Sequence, residues 1–336
     1  MRPTWRALVL AAVLASSCAV ARAEDKIRIL CPTWSGYAPL FVAKDLGYYK
    51  KLGLDVEVKF DDEKADVMAA MARHDIEMEL RTVDDYISRP RTPATPGVII
   101  GTIDESRGGD AVLAGGGITN VAQLKGAVVA ADTSAPALLL LQIELKKAGL
   151  TLKDLKLKSI NVPDTVSVFA DSSIKAVTTY QPFLGQAVKV DSFRSPHVLL
   201  TSAQFPHYIT DIFIARGDDL AAHPAAYRHF LEATYQAIDE FKKDRTTFLK
   251  VAAPHFGLSP ADFAASVDGN LIYTDEAMAK SLLGTKAAPG PLFNVFDTLM
   301  QLELENGRAD AKLSPAKAID PSVIASLPVK TASVAQ

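Results

Sequence analysis

The segment 27–60 constrains the fold more than any other part of the chain, because it has the order strand, loop, helix, turn, strand. The branched run Ile27–Leu30 predicts a strand, and Pro39–Lys51 carries apolar residues at helical spacing. Leu54–Phe60 alternates apolar and charged residues, which predicts a strand with one wet face. Two strands and a helix in about 35 residues predict a right-handed βαβ unit and hence an α/β fold.

The same alternation of short strands and helices continues to residue 215. Strands are expected at 76–80, 98–100, 111–114, 127–131, 155–161, 176–179, 197–200 and 209–215, and helices at 62–73, 83–88, 135–148, 166–170 and 182–188. Residues 217–310 are expected to be mostly helical.

The chain is long enough for two lobes, each with its own core. Glycines 115–117 follow a short strand, and glycines absorb dihedral changes at little steric cost, so we expect the chain to cross between lobes near residues 110–117. The predicted lobe 1 is discontinuous, with residues 24–112 and 210–336, and lobe 2 comprises residues 113–209.

Residues 1–23 have the order of a secretory signal peptide: Arg2 and Arg6, an apolar run, then Ala21-Arg22-Ala23. We expect cleavage before Glu24 and export to the periplasm. A second interpretation stays open, in which Leu14-Ala15-Ser16-Ser17-Cys18 is a lipoprotein box and Cys18 is lipid-modified. In the first case Cys31 is the single cysteine of the mature chain, so no internal disulfide forms.

Cleavage after residue 23 removes three arginines and no acidic residue, which changes the formal net charge from −3 to −6. A mildly acidic surface argues against nucleic acid or an anionic membrane as the main partner. The expected partner is therefore a small molecule, and the expected state is a monomer.

Polar and aromatic side chains collect in loops that follow the predicted strands, where ligands bind in open α/β sheets. The first such loop contains Trp34, Ser35, Gly36 and Tyr37, which combine aromatic rings with a hydroxyl and backbone N–H groups. Simple packing of the two rings in the core is the alternative. Further candidates follow other strands: Thr82 and Asp84, Asp104 and Ser106, Thr133 and Ser134, and Tyr180 and Gln181.

These further candidates also have structural interpretations. Ser134 precedes a helix with Pro136 in its first turn, so it could act only as an N-cap, although helix N-termini also bind anions. Asp84 could cap a helix, and Asp104 and Asp110 could shape a turn. A carboxylate in a cleft could equally receive a ligand ammonium group.

Four stretches together resemble the periplasmic solute-binding proteins of ABC importers of the nitrate, sulfonate and taurine type, over essentially the whole mature chain. They are W-S-G-Y-A-P-L-F-V-A-K-D-L-G-Y-Y-K-K-L-G-L-D-V-E at 34–57, D-E-S-R-G-G-D-A-V-L-A at 104–114, L-K-G-A-V-V-A at 124–130 and A-V-T-T-Y-Q-P-F-L at 176–184. The resemblance implies the type II periplasmic binding protein fold, with two lobes, each a mainly parallel sheet flanked by helices, and a helical C-terminal region. It also implies that Tyr180 and Gln181 face the cleft and that the partner is an importer permease in the inner membrane.

The expected ligand is a small organic anion of the sulfonate or taurine type. Nitrate, an aromatic carboxylate or a pyrimidine are alternatives, because aromatic and hydroxyl groups serve all of them. Relatives of this fold include pyrimidine-precursor synthases of thiamine biosynthesis, which is the enzyme alternative. The histidines show no metal-binding spacing, and Cys31 has no obvious base beside it, so we predict no catalysis, no cofactor and no metal.

Overall fold

The computed structural model describes residues 24–88, 97–133, 135–190, 195–305, 307–309 and 311–328. The predicted signal peptide, the alternative lipidation site Cys18 and most of the loop at 90–97 lie outside these residues.

Eleven strands are present in the described residues. They are β1 Asp25–Cys31, β2 Leu54–Phe60, β3 Met78–Thr82, β4 Val98–Ser106, β5 Asp110–Ala114, β6 Val128–Ala131, β7 Lys156–Ser159, β8 Ile174–Tyr180, β9 His197–Thr201, β10 Thr210–Ala215 and β11 Leu271–Tyr273.

The α-helices of the same residues flank these strands and fill the C-terminal third. They are α1 Ala38–Asp45, α2 Tyr48–Lys51, α3 Lys64–Ala72, α4 Val83–Ser88, α5 Pro136–Lys147, α6 Thr165–Val168, α7 Phe183–Val190, α8 Gly217–Ala222, α9 Pro224–Lys243, α10 Arg245–Ala252, α11 Pro260–Val267, α12 Glu276–Leu283, α13 Pro291–Glu305, α14 Pro315–Ala318 and α15 Ser322–Ala325.

The strands form two sheets. The first has the order β11-β4-β10-β3-β1-β2 and the second the order β7-β6-β8-β5-β9. We call each sheet with its packed helices a lobe. The predicted two-lobed α/β architecture is thereby confirmed, and the βαβ unit at 27–60 is present, since β1 and β2 pair in parallel.

Both sheets are mixed, whereas we expected mainly parallel ones. In the first sheet β10 runs antiparallel to β3 and β4, and in the second β5 runs antiparallel to β8 and β9. Both β5 and β10 are the first strands after the chain passes from one sheet to the other. A strand that enters its sheet from the opposite end runs against its neighbours.

The passage from the first sheet to the second lies earlier than residues 110–117. Strand β4 continues through Ser106, and Asp110 already pairs with Tyr180 in the second sheet, so the chain changes sheets at Arg107–Gly109. Asp104 and Ser106, which we expected to follow the strand at 98–100, therefore lie within β4, and Asp104 does not form a turn. The Ser106 hydroxyl lies 2.8 Å from that of Ser202, which also accepts a hydrogen bond from the Gly108 N–H at 2.7 Å.

The largest hydrophobic core lies in the first lobe, around β1, β3, β10 and helix α9. Side chains of the second lobe join this core: Ala135, Leu139, Val162 and Tyr180. An ion pair also joins the two lobes at the surface, where Lys189 Nζ lies 2.8 Å from Asp262 Oδ1. The lobes are thus packed against each other in this conformation.

Candidate functional site

A small cavity of about 30 Å³ lies between the lobes. It is lined by Pro32, Trp34, Tyr37, Arg81, Thr82, Asp85, Asp110, Pro136, Tyr180 and Asp211. The first lobe contributes Pro32, Trp34, Tyr37, Arg81, Thr82, Asp85 and Asp211, which we call the first wall. Asp110, Pro136 and Tyr180 of the second lobe form the second wall. A cavity of this size holds roughly two water molecules, so an organic solute enters only when the walls separate.

Trp34 joins the two walls. It follows β1, and its indole Nε1 donates to both carboxylate oxygens of Asp104, at 3.1 and 3.2 Å. Its ring meets that of Tyr180 edge to face, with 5.9 Å between centroids and 89° between planes. This geometry is a favourable one for aromatic pairs.

Two glycines make room for the indole. A Cβ at Gly36 would lie 2.1 Å from both Asp104 Oδ2 and Trp34 Nε1. A Cβ at Gly109 would lie 2.4 Å from Trp34 Cη2. Both distances are far below van der Waals contact, so the position of Trp34 depends on the absence of a side chain at both sites.

A row of polar residues crosses the first sheet behind the indole. Asp211 of β10 is directly opposite Thr82 of β3 on one side and Asp104 of β4 on the other, and Asp104 is opposite Tyr273 of β11. Directly opposed residues of antiparallel strands present their side chains to the same face. This register explains why the Asp104 and Asp211 carboxyl groups are hydrogen-bonded to each other.

The pKa values of both aspartates are raised. Burial raises the pKa of Asp104 well above its usual range, and the neighbouring Asp211 charge adds to the effect. Burial also raises the pKa of Asp211 to about 7, against the hydrogen bonds donated to it by the Tyr37 hydroxyl and by Asp104. Two carboxylates in contact cannot both ionise at ordinary cost.

Arg81 is fully buried and forms two ion pairs, one with Asp85 of the first wall and one with Glu79 of the same strand. Its guanidinium contacts Glu79 Oε2 at 2.7 Å and Asp85 Oδ2 at 2.7 Å. The next residue, Thr82, is 7% exposed, and its hydroxyl has no hydrogen-bond partner within the described residues.

Four of the predicted site residues line the cavity: Trp34, Tyr37, Thr82 and Tyr180. Asp104 and Gly36 lie directly behind them, against the Trp34 indole. The expected meeting of Trp34 and Tyr180 from opposite lobes is what the structure shows, although both rings are also buried in the core. Their contact with a ligand stays a prediction.

Other predicted residues have structural partners. The Ser35 hydroxyl lies 2.9 Å from that of Ser266, and Gln181 Oε1 accepts from the Gly185 N–H at 3.3 Å. Ser106 belongs to the hydrogen bonds at the sheet crossing, and Asp84 is buried at the start of α4 without lining the cavity.

Thr133, of the loop before α5, does not line the cavity, and its expected ligand contact stays a prediction. Thr133 is exposed, and α5 begins at Pro136 with Ala135 at the N-cap and no side-chain cap. Ser134 lies outside the described residues. Among the described residues of this loop and helix, Pro136 lines the cavity.

Six lining residues were not among the predicted site residues: Pro32, Arg81, Asp85, Asp110, Pro136 and Asp211. A signal for two of them exists in the sequence. Asp211 interrupts the largely apolar strand β10, and Arg81 lies in β3 two residues after the charged Glu79. A charge in a buried strand needs a partner or a function.

The chain has the two-lobed fold that periplasmic binding proteins share. The alkanesulfonate-binding protein SsuA of Xanthomonas axonopodis pv. citri, bound to MOPS, superposes with a TM-score of 0.72 at 15% identity, over 89% of this chain and 99% of that one. The periplasmic nitrate-binding protein NrtA of Synechocystis PCC 6803 gives a TM-score of 0.68 at 16% identity, over 90% of this chain and 86% of that one. Identities this low establish the fold alone.

The chain belongs to the NMT1/THI5-like family, whose profile matches residues 34–246. A Brucella abortus relative described as a binding protein is 23% identical over 283 residues, which cover 83% of this chain and 86% of that protein.

The same fold also occurs in an enzyme, the desulfurization enzyme DszB, with a TM-score of 0.64 at 13% identity over 90% of this chain and 98% of that one. Fold therefore does not decide between binding and catalysis. In this chain the Cys31 thiol is fully buried and its Sγ lies 3.9 Å from the Lys59 carbonyl oxygen. Burial raises its pKa well above the usual range, which is the opposite of what a nucleophilic cysteine requires.

Proposed function

We propose that this protein is the extracytoplasmic substrate-binding component of an ABC importer, which captures one small organic solute between its lobes and delivers it to the permease. The proposal rests on one observation. The rings of Trp34 and Tyr180, which belong to different lobes, are in contact at a cavity that is lined by charged groups. Aromatic walls with a few fixed polar groups are typical of sites for small solutes. The sulfonate- and nitrate-binding structural neighbours and the Brucella binding protein support the same function.

The mechanism follows from the two walls. A solute that contacts both walls binds the closed form more tightly than the open one, and only this difference in affinity drives closure. The permease then recognises the closed form. No covalent bond changes in this cycle, which agrees with the buried, protonated thiol of Cys31.

The proposed ligand class keeps the candidates expected from the sequence. These are a sulfonate or taurine-like solute first, then nitrate, an aromatic carboxylate or a pyrimidine.

A thermal-shift screen of these solute classes tests the function. A solute at 100 times its Kd adds about 2.7 kcal/mol of stability, a large effect for a chain of this size. Binding without chemical change of the solute supports the proposal. Turnover of a bound pyrimidine or ester, abolished by one point substitution, supports an enzyme instead.

The proposed export of the protein is tested separately, by measuring the intact mass of the mature chain. We propose export and cleavage after Ala23, so that the mature chain begins at Glu24 and is released as a monomer on periplasmic extraction. In the described residues no helix is long and apolar enough to span a membrane. A diacylated chain that begins at Cys18 would show that the lipoprotein interpretation is correct.

A further inference from the structure

The two lobes carry formal charges of opposite sign. Residues 110–209, which contain the strands of the second sheet, have nine basic and seven acidic residues and a formal charge of +2. The other residues from Glu24 onward have 24 basic and 32 acidic residues and a formal charge of −8. Opposite charges attract the lobes to each other over a range that the ionic strength sets.

Two ion pairs between helices of different lobes follow the same polarity. Lys146 Nζ of α5 lies 2.9 Å from Glu305 Oε2 of α13. Lys189 Nζ of α7 lies 2.8 Å from Asp262 Oδ1 of α11. In each of these interlobe ion pairs the cation belongs to the second lobe and the carboxylate to the first.

Uncharged groups of the second lobe add to these contacts. The Asn161 side-chain amide donates to the Glu63 carboxylate of the first lobe. Arg308 Nη1 of the first lobe donates to Gln142 Oε1 of the second at 3.4 Å. Both contacts join a charged group of the first lobe to an amide of the second, so neither opposes the attraction between the lobes.

The interlobe ion pairs lie at the protein surface and not at the cavity. The side chains of Lys146 and Lys189 are each 70% exposed, and neither residue lines the cavity. An exposed ion pair contributes little to folding. The open and closed forms of a two-lobed protein, however, differ by little free energy, so that a small contribution shifts their populations.

We infer that the interlobe ion pairs and the opposite lobe charges hold the lobes closed, and that Lys146 and Lys189 thereby act as positioning residues for the solute from outside the cavity. A solute that contacts both walls binds more tightly when the closed form is already favoured. The ionic strength therefore changes the affinity even for an uncharged solute. This inference goes beyond the proposed function and needs it only for that last consequence.

Trp34 reports the closure of the lobes without a label or a solute. Trp5 lies in the predicted signal peptide, so Trp34 is the single tryptophan of the mature chain. It is 5% exposed, and its ring contacts that of Tyr180 on the opposite wall. Separation of the walls removes this contact and lets acrylamide reach the indole, which quenches its fluorescence.

Acrylamide quenching of the purified mature chain at increasing NaCl concentration is the test. Between about 0.01 and about 1 M NaCl the screening length falls from about 30 to about 3 Å, so we expect the quenching constant to rise about twofold or more. The double variant Lys146→Glu with Lys189→Glu replaces attraction by repulsion, so its quenching constant should be high at low salt and fall as salt is added. A wild-type constant that is independent of salt overturns the inference, and so does a double variant that responds like the wild type.

A charge exchange separates the ion pair from other effects of substitution. Lys146→Glu alone should raise the quenching constant at low salt, and the further change Glu305→Lys should restore the wild-type value, because the pair forms again with reversed polarity. Lys156→Glu, the same charge change on exposed β7, is the matched control and should stay near the wild-type value. Failure of the exchange to restore the wild-type value contradicts the inference.

The radius of gyration from small-angle X-ray scattering must rise together with the quenching constant. A change in quenching at a constant radius of gyration would mean that Trp34 moves locally while the lobes stay closed, which overturns the inference. Urea unfolding verifies that each variant is folded. Because no step uses a solute, failure of this test leaves the proposed function to be judged by the thermal-shift screen alone.

Discussion

The two walls of the cavity are built differently. The first wall is joined to Asp104 behind it by a polar network, in which Trp34 donates to Asp104, Asp104 bonds Asp211, and Tyr37 donates to Asp211. The second wall has one carboxyl group, Asp110, beside the proline ring of Pro136 and the phenol of Tyr180. The first wall therefore holds most of the groups that can select a solute, and the second mainly covers it.

This difference indicates that the two lobes of a binding protein can contribute differently to solute binding. Polar groups held by several mutual hydrogen bonds keep one geometry in the open and closed forms, which reduces the cost of ordering them when a solute binds. A mainly apolar second wall buries additional solute surface when the lobes close, and it needs no precisely placed hydrogen-bond partners. Substitutions in the first wall should thus affect the folded protein itself, and those in the second wall should affect mainly binding.

The largest effect is expected from Trp34→Ala. The indole is 5% exposed, packs against Gly36 and Gly109 and bonds Asp104, so its removal should lower the free energy of unfolding by about 3–5 kcal/mol. Urea unfolding measures this. Trp34→Phe keeps a ring without the N–H and should give an intermediate loss. A Trp34→Ala protein of normal stability would mean that the first wall is not a structural network.

A pH effect of about 2–3 kcal/mol is expected from Asp211→Asn. The folded-state pKa of Asp211 is about 7, above that of an unfolded aspartate, so the folded protein binds the extra proton and loses stability as the pH rises from 5 to 7. Asparagine does not titrate, so the variant should show a flatter dependence of stability on pH in this range. Asp297→Asn, at an exposed position of α13, is the control and should keep the wild-type slope.

Tyr180→Ala probes the second wall and is expected to weaken solute binding by about 2 kcal/mol, the loss of a buried aromatic contact. Its effect on unfolding should be clearly smaller than that of Trp34→Ala. Titration and urea unfolding of the same preparation give both values. Lys156→Ala, exposed on β7, should change neither. Equal losses of stability from Trp34→Ala and Tyr180→Ala would remove the distinction between the walls.

The smallest effect, about 1 kcal/mol, is expected from Ser202→Ala at the sheet crossing. The variant loses the hydroxyl that accepts from the Gly108 N–H and pairs with Ser106. Thermal unfolding should detect the change, with exposed Ser172→Ala as the control. No change would show that water replaces this hydroxyl at no cost.

Sequence periodicity predicts the order of strands and helices well through residue 215, because each element has a clear apolar pattern and a turn residue at its end. It misses β11, a three-residue strand inside a helical region, since Leu271–Tyr273 is too short for a period to be recognised. It also ends β4 too early, because Asp104 and Glu105 are charged and charged residues normally indicate a turn.

Only part of the candidate site can be predicted from the sequence, because some of its residues are brought together by the tertiary fold. Trp34 and Tyr180 follow strands, and their positions can be inferred from the rule that ligands bind at strand ends. Asp211 is the second residue of β10, the strand by which the chain returns from the second lobe, and its place beside Asp104 depends on the cross-strand register. Register between strands more than 100 residues apart is a property of the tertiary fold, and a single sequence does not reveal it.

The two glycines around Trp34 also set how this protein tolerates random mutation. Every amino-acid replacement at codon 36 or codon 109 adds at least a Cβ, which would lie 2.1 or 2.4 Å from an atom of the indole. Gly109 is moreover the last residue before the second sheet begins at Asp110. In a saturation library selected for uptake of the solute, these two codons should therefore accept synonymous changes only, although neither residue has a side chain with which to touch the ligand.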